Sequence, residues 1–284
     1  MEVRYLFLHP PDSSEILFST PLIRAVIKSV EHAEVISALP KQYCWLLENN
    51  PFVSSIIPYE KSPSKNIREF RDAGADYLVD LTGGKITRWF KNRLRVMDFT
   101  LSSKKLKQIR SFTGAAEAGD FYRKCGIELL KVFDLKDDGP DLDLFYGHNK
   151  AFVKKALPES FLDAYAVLDM PVDGPGEADL SVPISELISR IERPLVLCGS
   201  EEWRLTGEEI MRKTGCTILS TCGDFSEQEQ VYLRSGSKVL INIENGREIW
   251  SLVFGNPHYN IDINAHPDSW KEQVDGIRNH LKLT

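Results

Sequence analysis

The sequence predicts an α/β protein made of two Rossmann-like domains with parallel sheets facing a central cleft. Three observations lead there. Short apolar runs of strand length alternate with helical patterns along the whole chain, the pattern of parallel sheets covered by helices on both faces. A stretch rich in Asp, Gly and Pro, DLKDDGPDLDLFYG at 134–147, has no periodicity and divides the alternation into two series. The length, 284 residues, is comfortable for two domains. The expected domains are 1–150 and 151–284.

In the first series VRYLFLH (3–9) reads as a strand. Ile23, Val26, Ile27 and Val30 fall on one helix face, with Pro21 expected to start or kink that helix. AEVISAL is the second strand. YCWLLENN is a short helix ending before Pro51, and VSSIIPY is the third strand. NIREFRDAG is a helix closed by Gly74, DYLVDL (76–81) the fourth strand, Lys85 to Asn92 a helix and RLRVMDF a strand. Ala115 to Leu130 is helical. The second series runs AYAVLDM, ISELISRI, RPLVLCG, TGEEIMRKTG, CTILS, SEQEQVYLRSG, KVLIN, GREIWSLVFG and HYNIDI, strand and helix in turn. Three S/T-x-x-E pairs predict capping boxes, Thr206 with Glu209, Ser226 with Glu229 and Ser269 with Glu272. The last helix is expected to bury Trp270, Val274, Ile277 and Leu281.

Composition narrows the classes. The chain is 42% hydrophobic and 27% charged, ordinary for a globular protein. No apolar run approaches a membrane span, and YLFLHPPDSSEILF is too broken by prolines for a signal peptide. Cysteines at 44, 125, 198, 216 and 222 include no CxxC spacing, and the histidines form no i, i+4 pair with another ligand-type residue, so no metal is expected. A cytoplasmic protein with reduced thiols is the simplest reading. The net charge of −6 is unevenly spread: residues 85–110 hold nine Lys or Arg against Asp98 alone. A basic segment in an acidic chain fits a local anionic partner, including peripheral contact with an anionic membrane, and not nucleic acid. A solvated helix face is the competing account.

Ligands of such sheets bind beyond the carboxyl ends of the strands. That edge carries Asp12, Ser13, Ser14 and Glu15 after the first strand, and Thr82, Gly83, Lys85 and Arg88 after the fourth. In the second domain it carries Asp169 and Met170, then Gly199, Ser200 and Glu201, then Glu244, Asn245, Gly246 and Arg247. Trp203 reads as packing, and His9 as a hydrogen-bonded structural residue. A helix opening at Gly246 would offer free N–H groups to an anion. Glu244 and Glu248 oppose this: each costs an incoming dianion about 1–3 kcal/mol, against ~0.3–1 kcal/mol returned by the helix end.

With these elements placed, the chain resembles the family 9 glycosyltransferases, the ADP-heptose:lipopolysaccharide heptosyltransferases of bacteria. SSEILFSTPLIRAVIKSVEHAEV, LLENNPFVSSIIPY, RDAGADYLVDLTGGKITRWF and ENGREIWSLVFGNP carry the resemblance, which covers nearly the whole chain. It implies the GT-B fold. It also implies inverting transfer of a heptose-type sugar from an ADP donor to a lipopolysaccharide or other anionic glycan acceptor, in lipopolysaccharide biosynthesis at the inner face of the inner membrane. No cofactor is implied. The family's catalytic Asp corresponds to Glu15. The second-domain positions become donor-binding, and Ser13, Ser14, Thr82, Gly83, Lys85 and Arg88 acceptor-binding. The last helix is expected to return toward the first domain. Four positions depart: Ser14 stands for Gly, Glu15 for Asp, Glu244 for Asp and Ile249 for His. The family's Lys-Trp-Pro stretch is replaced by MPVDGPGEADLSVP. A non-catalytic member that keeps the fold and binds a glycan, a lipid head group or a protein is the alternative.

Overall fold

The computed structural model describes residues 2–60, 63–83, 92–146, 150–171, 174, 180–214, 217–243, 249–263 and 265–281. The chain divides into two compact units, Met1–Gly147 and His148–Thr284. Each is built on a five-stranded, wholly parallel sheet. The first contains β1 (Val3–Leu8), β2 (Ala33–Pro40), β3 (Ser55–Tyr59), β4 (Tyr77–Asp80) and β5 (Met97–Thr100), in the order β3-β2-β1-β4-β5. The second contains β6 (Ala166–Asp169), β7 (Leu195–Cys198), β8 (Ile218–Ser220), β9 (Val239–Ile243) and β10 (His258–Ile261), in the order β10-β9-β6-β7-β8. In both, the order reverses beside the unit's first strand, and a doubly wound sheet opens a crevice there. The central strands are apolar on both faces because helices cover both: Tyr5, Leu6, Phe7 and Leu8 are buried, as is every residue of β9.

In the first unit the predicted single helix after β1 is two, α1 (Ser13–Phe18) and α2 (Thr20–Ser29). Asp12 caps α1 by accepting from the amides of Ser14 and Glu15. Pro21 explains the break: it has no N–H to give the carbonyl of Leu17, and the Thr20 hydroxyl donates there instead, at 2.7 Å. The segment read as a helix over YCWLLENN is a 3₁₀ turn, Lys41–Leu46, between Pro40 and Pro51. α3 (Ile67–Asp72) ends as expected at Gly74, φ 62°. β5 begins only at Met97, because Arg95 adopts φ 58° and a left-handed residue cannot continue a strand. The helix expected at Lys85 to Asn92 lies mostly outside the described residues. α4 (Ser103–Arg110) and α5 (Ala115–Leu129) complete the unit.

Past a 3₁₀ turn at Lys131–Phe133, the connection has no regular element through residue 146, as its composition predicts, yet it is tied down. Buried Arg24 of α2 donates to the carboxylates of Asp138, at 3.0 Å, and Asp143, and to the carbonyl of Asp141. Lys28 pairs with Asp138. The amides of Lys136 and Asp143 donate to the Ser29 and Thr20 hydroxyls. An edge-on contact joins Phe145 to Phe52.

The second unit adds α6 (Lys150–Ala156), α7 (Ser181–Ile191), α8 (Arg204–Thr214), α9 (Glu227–Gly236), α10 (Ile249–Phe254) and α11 (Lys271–His280). Its core gathers Ile184, Leu187, Ile188, Trp203 and Ile210 with Trp270, Val274, Ile277 and Leu281. Full burial of each such side chain is worth about 1.5–3 kcal/mol. The expected stripe on α11 is thus buried, on this unit's own core. Both buried indoles are satisfied, Trp203 by the carbonyl of Pro171 and Trp270 by that of Asp262. Of the three expected capping boxes, Ser226 with Glu229 forms. Thr206 lies inside α8, and Glu209 pairs with Lys213. Ser269 sits in a 3₁₀ turn ahead of α11 and donates to the carbonyl of His266.

Candidate functional site

The carboxyl edge of the first sheet, where the strand order reverses between β1 and β4, holds a compact ionic group. Glu15 lies in the first turn of α1, buried, its side chain 5% exposed. Both its oxygens accept from Arg110 at the end of α4, one from Nε at 2.6 Å and the other from Nη2 at 3.1 Å. The guanidinium is the accessible partner, with 57% of its side chain exposed. Its hydrogen bonds to Glu15 raise the Arg110 pKa above its ordinary value. Tyr122 of α5 is fully buried. Burial, reinforced by the charges of Glu15 and Asp80, pushes its phenol well above the usual range, and its hydroxyl has no hydrogen-bond partner among the described residues.

Ser13 and Ser14 are buried in α1, and the Ser14 amide is engaged by Asp12. Asp80, ending β4, accepts from both the amide and the hydroxyl of Thr82 at 2.7 Å. Gly83 is at φ 92°, and a Cβ there would stand 2.9 Å from Leu106 of α4. At that φ a side chain would be strained, which favours glycine in this loop. Lys85 and Arg88 lie outside the described residues. His9 is structural, as expected: it is wholly buried, 3.3 Å from the hydroxyls of Ser19 and Ser37, with its carbonyl accepting from Tyr59. Burial lowers its pKa to about 3, so the ring is neutral.

At the corresponding edge of the second sheet an arginine–carboxylate pair is enclosed. Asp169, ending β6, accepts from Arg234 of α9 through Nε at 2.9 Å and Nη2 at 2.6 Å. Here both partners are buried, the side chains 14% and 8% exposed. Trp250 of α10 lies over the guanidinium, 5.6 Å from its carbon to the indole centroid. Burial alone would lower the Arg234 pKa, but the Asp169 carboxylate outweighs it and the shift is upward. Met170 is buried. Gly199 packs where a Cβ would stand 3.0 Å from Met170 and 3.2 Å from the Cys222 sulfur. Ser200 and Glu201 are exposed, and Glu201 is paired with Arg204 at 2.8 Å. Glu244, Asn245, Gly246 and Arg247 lie outside the described residues, as does Glu248.

Arg110, Tyr122, Arg234 and Trp250 were not singled out from the sequence. A signal existed for Arg234, which follows Val231 at i+3 and so lies on a buried helix face where a cation requires a partner. Among the described residues no group of three or more His, Cys, Asp or Glu could hold a metal ion. Burial pushes the Cys198 and Cys222 thiols up to about 12 and about 11, which makes them poor nucleophiles. Among the described residues no helix is long and apolar enough to cross a membrane.

No protein-family model matches the chain, and no curated protein matches its sequence. Solved structures do match. A family 9 glycosyltransferase from Veillonella parvula DSM 2008 superposes with a TM-score of 0.70 at 14% identity, over 92% of this chain and 81% of that one. E. coli ADP-heptose lps heptosyltransferase II gives 0.66 at 15% identity, over 92% and 84%. The E. coli heptosyltransferase WaaC with ADP-2-deoxy-2-fluoro heptose gives 0.63 at 13% identity, over 93% and 90%. The chain has the two-unit, parallel-sheet fold of these heptosyltransferases, the GT-B class that the sequence predicts.

Proposed function

We propose that this protein is a glycosyltransferase. It transfers a sugar from a nucleotide donor, held at the carboxyl edge of the second sheet, to a hydroxyl of an anionic glycan held at that edge of the first. The observation that carries this reading is Glu15: a buried carboxylate just beyond β1, at the reversal of strand order, in a fold shared with heptosyltransferases. An inverting transfer needs a base to take the proton of the acceptor hydroxyl, and Glu15 has the chemistry and the place for it. The donor is an ADP-sugar of heptose type, the kind of ligand named for the E. coli structural neighbours. On the acceptor side, the basic residues of α4 suit a phosphorylated or acidic glycan, a lipopolysaccharide core among them.

Turnover of an ADP-sugar with Glu15→Gln tests the base. The expected loss is about 10²–10⁴-fold, with ADP binding unchanged. A thermal-shift series with ADP, UDP, GDP and CMP tests the donor. A nucleotide at a hundredfold excess over its Kd stabilises the fold by about 2.7 kcal/mol. No shift with any of the four would overturn the transferase reading. It would favour the second one, a non-catalytic glycan-binding protein, to which the occupation of both Glu15 oxygens by Arg110 also lends support.

A further inference from the structure

Arg110 and Glu15 form an asymmetric pair. The carboxylate is enclosed, while the guanidinium that holds it stands at the surface. Two of the three guanidinium nitrogens, Nε and Nη2, are used on Glu15. Nη1 makes no hydrogen bond among the described residues, on a side chain that is 57% exposed. The same helix exposes Lys104 and Lys107, and neither has a carboxylate within ion-pair distance among the described residues. An arginine fork with an open donor beside two unpaired lysines suits a phosphate, whose oxygens match the fork and whose second charge a carboxylate lacks.

A second observation is the hydroxyl of Tyr122, buried and without a hydrogen-bond partner among the described residues, within electrostatic range of Glu15, Asp12, Asp80 and Arg110. A buried hydroxyl without a partner is costly. Here it lies within electrostatic range of a carboxylate whose two oxygens both accept from Arg110.

We propose that Arg110 is a switch between two anions. In the free protein it clamps Glu15; when a phosphate group of the acceptor arrives, the guanidinium turns to the phosphate and releases Glu15. The proposal rests on the reading of Glu15 as the base and gives Arg110 a positioning role. Clamped, both Glu15 oxygens already accept from Arg110; released, both are open to an acceptor hydroxyl. The base is thus freed only when the right chemical class of acceptor is present, a phosphorylated sugar.

The switch is tested without turnover by titrating inorganic phosphate and mannose 6-phosphate into the full chain by calorimetry, with Arg side-chain N–H resonances followed by NMR. Glu15 and phosphate compete for one guanidinium, so removing the Glu15 charge must strengthen phosphate binding. Glu15→Gln is expected to bind both probes about tenfold more tightly than wild type, the weight of one charged hydrogen bond. Arg110→Gln is expected to lose the site. In wild type, saturating phosphate should move the Arg110 Nε–H signal toward its position in Glu15→Gln. Equal affinity of wild type and Glu15→Gln would overturn the proposal, and so would an Arg110 signal that phosphate leaves in place. Vesicles containing phosphatidic acid separate the sources: binding to vesicles alone, with neither soluble phosphate bound, would assign α4 to a membrane and also overturn the proposal. If Glu15→Gln keeps full turnover but shows the tightened phosphate site, the base assignment fails and the switch stands.

Discussion

Both sheets place an arginine–carboxylate pair at the reversal of strand order, and the two pairs differ in where the cation lies. Arg234 is enclosed with Asp169 under Trp250, its side chain 8% exposed. Arg110 reaches Glu15 from the surface with 57% exposed. The donor geometry is the same, two guanidinium nitrogens on one carboxylate. The difference separates a pair that belongs to the core from one that a ligand can open. With both charges enclosed, neither partner can leave without stranding the other. With one exposed, water or a competing anion can take the cation at small cost.

The largest expected effect follows from the sealed pair. Arg234→Met strands Asp169 and is expected to cost about 3–5 kcal/mol in urea unfolding of the second unit, whereas the double change with Asp169→Leu recovers most of it. If the double variant is as unstable as the single one, the pair is not an isolated ionic unit. Next is acid sensitivity of the first unit. His9 is held neutral with its pKa depressed to about 3. The unfolded chain therefore binds a proton below about pH 6.5 that the folded one refuses, and stability falls as pH drops from there toward 3. The slope is up to about 1.4 kcal/mol per pH unit from this residue, and unfolding of His9→Asn should show it flattened. Arg110→Met is expected to cost about 1–3 kcal/mol, the penalty of leaving buried Glu15 unsatisfied. A loss as large as that of Arg234→Met would erase the distinction between the two pairs. The smallest effect is Trp250→Leu, about 0.5–2 kcal/mol for the cation–π contact, read by the same urea titration.

Much of the architecture is legible in the sequence because it rests on periodicity. The strands of both series, the glycine stop at Gly74 and the buried stripe of α11 follow from patterns of two and three to four residues. What periodicity cannot give is competition between local options. Pro21 and Thr20 together redirect one carbonyl and turn one helix into two. Arg95 alone decides where β5 begins, and a 3₁₀ turn runs ahead of α11, leaving the Ser269 box unformed. At the candidate site the sequence gives the edge, because topology places it, and Glu15 on that edge. It does not give Arg110, which lies 95 residues from Glu15, or Arg234, 65 residues from Asp169. Such pairings depend on how helices pack on a sheet, which spacing within one helix does not encode.

The anchoring of residues 134–146 bears on how the molecule can be divided. By secondary structure alone the first unit would end with the 3₁₀ turn Lys131–Phe133, and everything after it would be tether. A fragment cut there would retain Arg24, enclosed in α2, without the acceptors that Asp138, Asp141 and Asp143 supply. It would also leave Lys28 unpaired and Phe52 without the ring of Phe145. The shortest fragment able to stand alone therefore runs through Phe145, and the acidic stretch that composition marks as connective is the last structural segment of the first unit.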